Sequence, residues 1–83
     1  MESEEPRPGD VLLMAFAPAT EKLPPYYIFS ADTGDIVAGP FERVERALIA
    51  IRRLAKQRGV RAWHKRTVLD DYGLPVRVVF PID

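Results

Sequence analysis

The sequence predicts an α+β domain in which a small antiparallel or mixed sheet carries one amphipathic helix on one face. Three observations predict it. Apolar residues spaced by three and four occur in a single segment, from about Glu42 to Arg58. Short apolar or alternating runs flank that segment on both sides, each bounded by Gly, Pro or Asp. A chain of 83 residues, 47% apolar and 29% charged, has material for one hydrophobic core and not for two. The expected order is β-β-β-α-β-β.

Residues 1–9 hold three glutamates and two prolines without an apolar stretch. They are expected to form a flexible acidic tail ahead of a single domain over residues 10–83. The stretch lacks the apolar core of a signal peptide or membrane anchor. The chain has no cysteine, which excludes disulfides and thiolate metal sites and fits a cytoplasmic protein.

Val11 to Ala17 is a continuous apolar run between Pro8-Gly9 and Pro18, the pattern of a strand buried on both faces. Thr20 to Pro25 ends in two prolines and reads as a loop. Tyr26–Ser30 and Ile36–Ala38 flank Ala31-Asp32-Thr33-Gly34-Asp35, a hairpin whose Gly34 supplies the positive φ of the turn. Gly39-Pro40-Phe41 closes the hairpin. The helix places Val44, Ala47, Leu48, Ile51, Leu54 and Ala55 on one stripe, with acids at its start, bases at its end and Gly59 to stop it. Val60–Thr67 alternates as a fourth strand, Leu69–Gly73 turns, and Val76–Phe80 is a fifth strand ended by Pro81.

Net charge is zero but unevenly spread. Residues 1–41 carry seven acids against Arg7 and Lys22, whereas residues 42–66 carry nine bases against Glu42 and Glu45. A basic middle segment could mark the footprint of a nucleic-acid binder; the commoner source of such a run is the solvated face of a helix whose charges meet acidic neighbours. If Val60 and Ala62 face the helix, alternation gathers Arg61, Trp63 and Lys65 on the opposite face, next to Arg66. Bases could stack on that indole while the cations meet phosphates. The competing reading has the Arg61 and Lys65 stems packing over a buried tryptophan.

Catalytic chemistry finds little support. Asp32-Thr33-Gly34 is the triplet of aspartic proteases, but it occurs once and continues with Asp35, and an Asp-x-Gly turn explains the same residues. His64 is the only histidine, which leaves no histidine-based metal cluster. Pairing of His64 with Asp70 or Asp71, or a hard cation on those two acids, competes with a locally hydrogen-bonded histidine and a solvated turn. No catalytic residue, metal ligand or cofactor is therefore assigned.

Gly39-Pro40-Phe41 leading into a helix with Ala47 and Leu54, then Gly59-Val60, resembles the closing half of a SPOR (sporulation-related) repeat. It is also similar to small bacterial domains in which a hairpin precedes one helix. The SPOR resemblance implies binding to bacterial cell-wall glycan. It covers about half of the chain, and the first half departs from the pattern because Val11–Ala17 is not followed by a helix. No binding residue is carried across.

One helix covers one face of a sheet, yet the first strand presents Leu12, Met14 and Phe16 opposite Val11, Leu13 and Ala15. A second copy of the chain is the expected cover, giving a homodimer through Leu12, Met14 and Phe16, with the loop from Pro18 to Pro25 as the rival cover. The resulting expectation is a dimeric binding or interaction module without catalysis. Nucleic-acid binding through Arg61–Arg66 and the helix bases is the alternative, and a small hydrolase the weaker one.

Overall fold

The structure, a computed structural model, describes residues 5–15 and 25–82. Its elements are β1 (Val11–Ala15), β2 (Tyr26–Ser30), β3 (Ile36–Phe41), α1 (Val44–Arg58), β4 (Ala62–Leu69) and β5 (Pro75–Ile82). The strands form one mixed sheet in the order β3-β2-β1-β4-β5, with the helix crossing from β3 to β4. All neighbours are antiparallel except β1 and β4, which run parallel. The strand that is apolar on both faces, β1, therefore takes the central position, where each face can be covered.

Register sorts the two faces. Val11 pairs with Ala62 and Leu13 with Ile28, and these side chains meet Ala47, Ile51 and Ala55 of the helix in the core cluster. The three helix positions recur every four residues, and two of them are alanines, so the helix backbone can lie close on the sheet. Val44, Leu48 and Leu54 are half-buried and pack against that cluster, so the predicted stripe faces the sheet with Ala47, Ile51 and Ala55 at its centre. On the opposite face Leu12 stands between Phe29 and Trp63, and Met14 pairs with Tyr27. There Trp63 and Phe29 are buried, while Leu12 and Met14 are half-buried. Phe16 lies outside the described residues.

Several boundaries differ from expectation for identifiable reasons. The hairpin does not close at Gly39: Phe41 pairs with Tyr26, and irregularities in the β2–β3 register absorb the intervening residues, including the cis Gly39–Pro40 bond. Because β3 stays in the sheet to Phe41, Glu42 and Arg43 must carry the chain off it. The helix accordingly begins at Val44, with Arg43 in an extended conformation at its N-cap. At the other end Val60 N–H reaches the Ala55 carbonyl at 3.0 Å, beside a left-handed Gly59. β5 runs from Pro75 to Ile82, beyond the expected Val76–Phe80, because an edge strand tolerates proline where the missing N–H would face solvent. Arg7 to Asp10 closes a turn through Asp10 N–H to the Arg7 carbonyl, so ordered hydrogen bonding begins before the domain start expected at residue 10.

Two glycines perform specific work. Gly34 adopts φ +76° in the β2–β3 turn, as the sequence predicts. Gly39 adopts φ +122° against β2, where a Cβ would fall 2.9 Å from Tyr27 Cδ1 and 3.0 Å from the Tyr26 carbonyl oxygen.

Candidate functional site

β3 and β4 point the same way, since β3 opposes β2, β2 opposes β1, and β1 parallels β4. The connecting helix must run back against them, which brings its N-terminal end to the C-terminal ends of β1 and β4. In doubly wound parallel sheets the corresponding end is where ligands are bound. A cleft of about 440 Å3 lies there, lined by Met14, Tyr26, Val44, His64, Lys65, Arg66, Thr67 and Arg77, together with Ala15. Among the described residues β4 pairs with β1 only from Ala62 to His64 but continues to Leu69. Lys65 and Arg66, which follow, are not paired with β1, and antiparallel pairing of Thr67 with Arg77 adds a third cationic residue.

The electrostatics of the cleft are one-sided. Lys65, Arg66 and Arg77 are cationic, and no carboxylate lines it among the described residues. Arg66 also rests over the Phe80 ring, with its guanidinium carbon 4.9 Å from the centroid. Burial pushes the His64 imidazole below its ordinary pKa, and the Arg66 charge pushes it further the same way. At neutral pH the ring is therefore uncharged, able to donate one hydrogen bond and accept another.

A second cluster lies at the start of β1. The Asp10 carboxylate is buried and accepts three hydrogen bonds: from Arg7 N–H at 2.9 Å, from Trp63 Nε1–H at 2.9 Å and from Arg61 N–H at 3.1 Å. Burial alone would raise the carboxyl pKa. The N–H groups of Arg7, Trp63 and Arg61 outweigh it, with help from the Arg61 charge, and hold the pKa below the usual value. The Arg61 guanidinium lies 4.6 Å from the Trp63 ring centroid. Trp63, expected on a basic surface, is thus only 1% exposed, with both its ring and its N–H engaged. A base could stack on it only if this cluster opened.

The four residues singled out for a nucleic-acid surface consequently separate. Lys65 and Arg66 enter the cleft. Arg61 instead shares another depression, of about 410 Å3, with Arg52, Val60 and Ile82, and Trp63 is interior. Asp32 is an exposed turn residue that accepts a hydrogen bond from the Ser30 hydroxyl and one from Thr33 N–H at 3.0 Å. Asp70 accepts from Tyr72 N–H and Leu74 N–H, at 2.9 and 2.8 Å, and so organises the β4–β5 turn. No group of three or more His, Asp or Glu among the described residues is placed to hold a metal ion. No helix among those residues is long and apolar enough to cross a membrane.

Sequence reasoning missed Asp10, Tyr26 and Arg77. Asp10 carries a usable signal, an acid directly preceding a doubly buried strand. Tyr26 and Arg77 carry none, because strand order alone brings them to His64. No protein-family model, curated protein or solved structure matches the chain.

Proposed function

We propose that the domain is a non-catalytic binding module whose cleft at the end of β1 and β4 takes an anionic group of its ligand, phosphate being the best fit. The observation that carries this reading is the convergence of Lys65, Arg66 and Arg77 on one cleft that also holds His64 and Thr67. Three cations with a neutral imidazole and a hydroxyl provide charge and directed donors together, the combination that phosphate oxygens require. The helix start at Val44 reinforces it, since unpaired N–H groups of a first turn favour negative charge.

A single-stranded nucleic acid is a second reading, favoured by the additional cations Arg52 and Arg61 around the separate depression at the start of β4. Its contacts would be to phosphates, since Trp63 is interior.

Titration with inorganic phosphate, followed on the His64 ring by NMR, tests both readings. A bound anion should raise the His64 pKa and saturate, and Arg77→Ala should weaken binding about tenfold, near 1.4 kcal/mol. An oligothymidylate that binds far more tightly than phosphate, with affinity falling steeply as salt is added, would select the nucleic-acid reading. If His64 responds to neither ligand up to about 10 mM, a concentration at which even millimolar sites fill, the anion site does not exist.

A further inference from the structure

We propose that the ligand of the cleft is a phosphate ester of an aromatic group, a reading that rests on the anion site proposed above. The cleft has a volume of about 440 Å3, a size typical of small-molecule sites. A phosphate ion alone is a few water molecules in size, each with about 30 Å3, and leaves most of that space unfilled. The lining shows what kind of group completes it. Its charged side chains, with His64 and Thr67, all belong to β4 and β5. The remaining wall is built from Met14, Ala15, Tyr26 and Val44, where the Tyr26 hydroxyl is the only strongly polar side-chain group.

Register sets the two kinds of wall side by side. Tyr26 pairs with Ala15. Both lie on the helix side of the sheet, since Ala15 is two residues beyond the core residue Leu13 and Tyr26 itself packs against the core. His64 pairs with Leu13, and Arg66 is two residues beyond His64, so alternation places Arg66 on the helix side as well. Across the sheet the row therefore runs from Tyr26 on β2, over Ala15 on β1, to Arg66 on β4. Ala15 ends at its Cβ, which leaves a space between an aromatic ring and a guanidinium carried on strands about 10 Å apart, two strand spacings. Val44, at the start of the helix, lines the same space.

A planar aromatic group suits that space. Laid over Ala15, it packs on the Tyr26 ring and the Val44 side chain, and a phosphate bonded directly to it falls beside Arg66 and His64. The guanidinium carbon of Arg66 lies 4.9 Å from the Phe80 ring centroid. Stacking engages the face of the guanidinium and leaves its N–H edge to donate to phosphate oxygens. A sugar or polyol on the phosphate suits the space less well, because hydroxyls against Ala15 and Val44 would lose water without gaining partners. Free aryl phosphates and phosphorylated tyrosine side chains both present the required group.

Calorimetric titration of the whole chain with phenyl phosphate and with glycerol phosphate, at about pH 8 where phosphate monoesters carry two charges, isolates the aromatic contribution. Phenyl phosphate should bind at least about tenfold more tightly. Ala15→Leu, at an exposed position, fills the space beside Tyr26; the variant should stay folded by circular dichroism and lose the preference. A short peptide with one phosphotyrosine that binds more tightly than phenyl phosphate would assign the group to a protein side chain, and one that binds no more tightly would assign it to a small molecule. Equal affinities for the two esters would overturn the inference and leave the anion site standing, as would a full preference retained in folded Ala15→Leu. If neither ester nor inorganic phosphate bound, the anion site itself would fall, and the aromatic preference with it.

Discussion

Asp10 offers the sharpest test of how this small domain is held together. Replacing it with asparagine preserves shape and removes charge. The amide oxygen can take the place of Oδ2 and still accept from Arg7 N–H and Trp63 Nε1–H, but its NH2 group then confronts Arg61 N–H, which had donated to Oδ1. An orphaned N–H costs about 1–3 kcal/mol, and the two surviving bonds each lose part of the strength that came from the negative charge. The sum is about 3 kcal/mol, against a total of roughly 4–12 kcal/mol for a chain of this length at 0.05–0.15 kcal/mol per residue. Trp63 is the only tryptophan, so its fluorescence reports urea unfolding. With a slope near 1 kcal/mol per molar urea, the midpoint should fall by about 3 M.

The pH dependence checks the same cause. The folded-state pKa of Asp10 lies below its unfolded value near 3.8. Its stabilisation is therefore fully present above that value and is lost as pH falls through the folded one. The gap between wild type and Asp10→Asn should accordingly shrink in acid. A variant within about 0.5 kcal/mol of wild type, the usual range for inconsequential surface changes, would refute the reasoning. A gap of unchanged size at low pH would do the same.

Other outcomes follow from burial and geometry. Ile51→Ala should cost about 2–5 kcal/mol because Ile51 is fully buried between helix and sheet. Leu54→Ala, at a half-buried margin, should cost less than about 2 kcal/mol; equal losses in thermal melts would place the helix face elsewhere. Gly39→Ala should lower the melting temperature by several degrees, since its Cβ would meet the Tyr27 ring and the Tyr26 carbonyl at a positive φ, and an unchanged melt would disprove that close approach. His64, whose folded pKa is depressed below 6.5 by burial and then by Arg66, contributes stability that is full above the unfolded pKa and declines as pH drops through the folded value. His64→Gln should flatten the stability curve in that window; a profile identical to wild type would mean that the ring is not desolvated.

Local pattern was enough to read most of the secondary structure. The helix stripe, the Gly59 stop, the turn at Gly34 and the doubly apolar β1 each depend on neighbours within a few residues, and those are visible in a linear chain. Errors gathered where a distant partner overrode the local signal. Gly39-Pro40 looks like a terminator, yet pairing of Tyr26 with Phe41 keeps β3 in the sheet beyond it and delays the helix to Val44.

The site was far less legible. Alternation correctly placed Trp63 on the face opposite the helix, but its burial depends on Asp10, 53 residues away, which supplies the acceptor for its indole N–H. Lys65 and Arg66 could be singled out as a basic pair, whereas their cleft partners Tyr26 and Arg77 arrive through strand order. The α+β class, the single amphipathic helix and the two-sided apolar character of β1 were determined by sequence alone, because periodicity and turn chemistry are local properties. The mixed strand order, the parallel β1–β4 contact, the closed cluster around Asp10 and the basic cleft were decided only by tertiary structure, because each is a meeting of segments whose separation along the chain leaves no trace in either one.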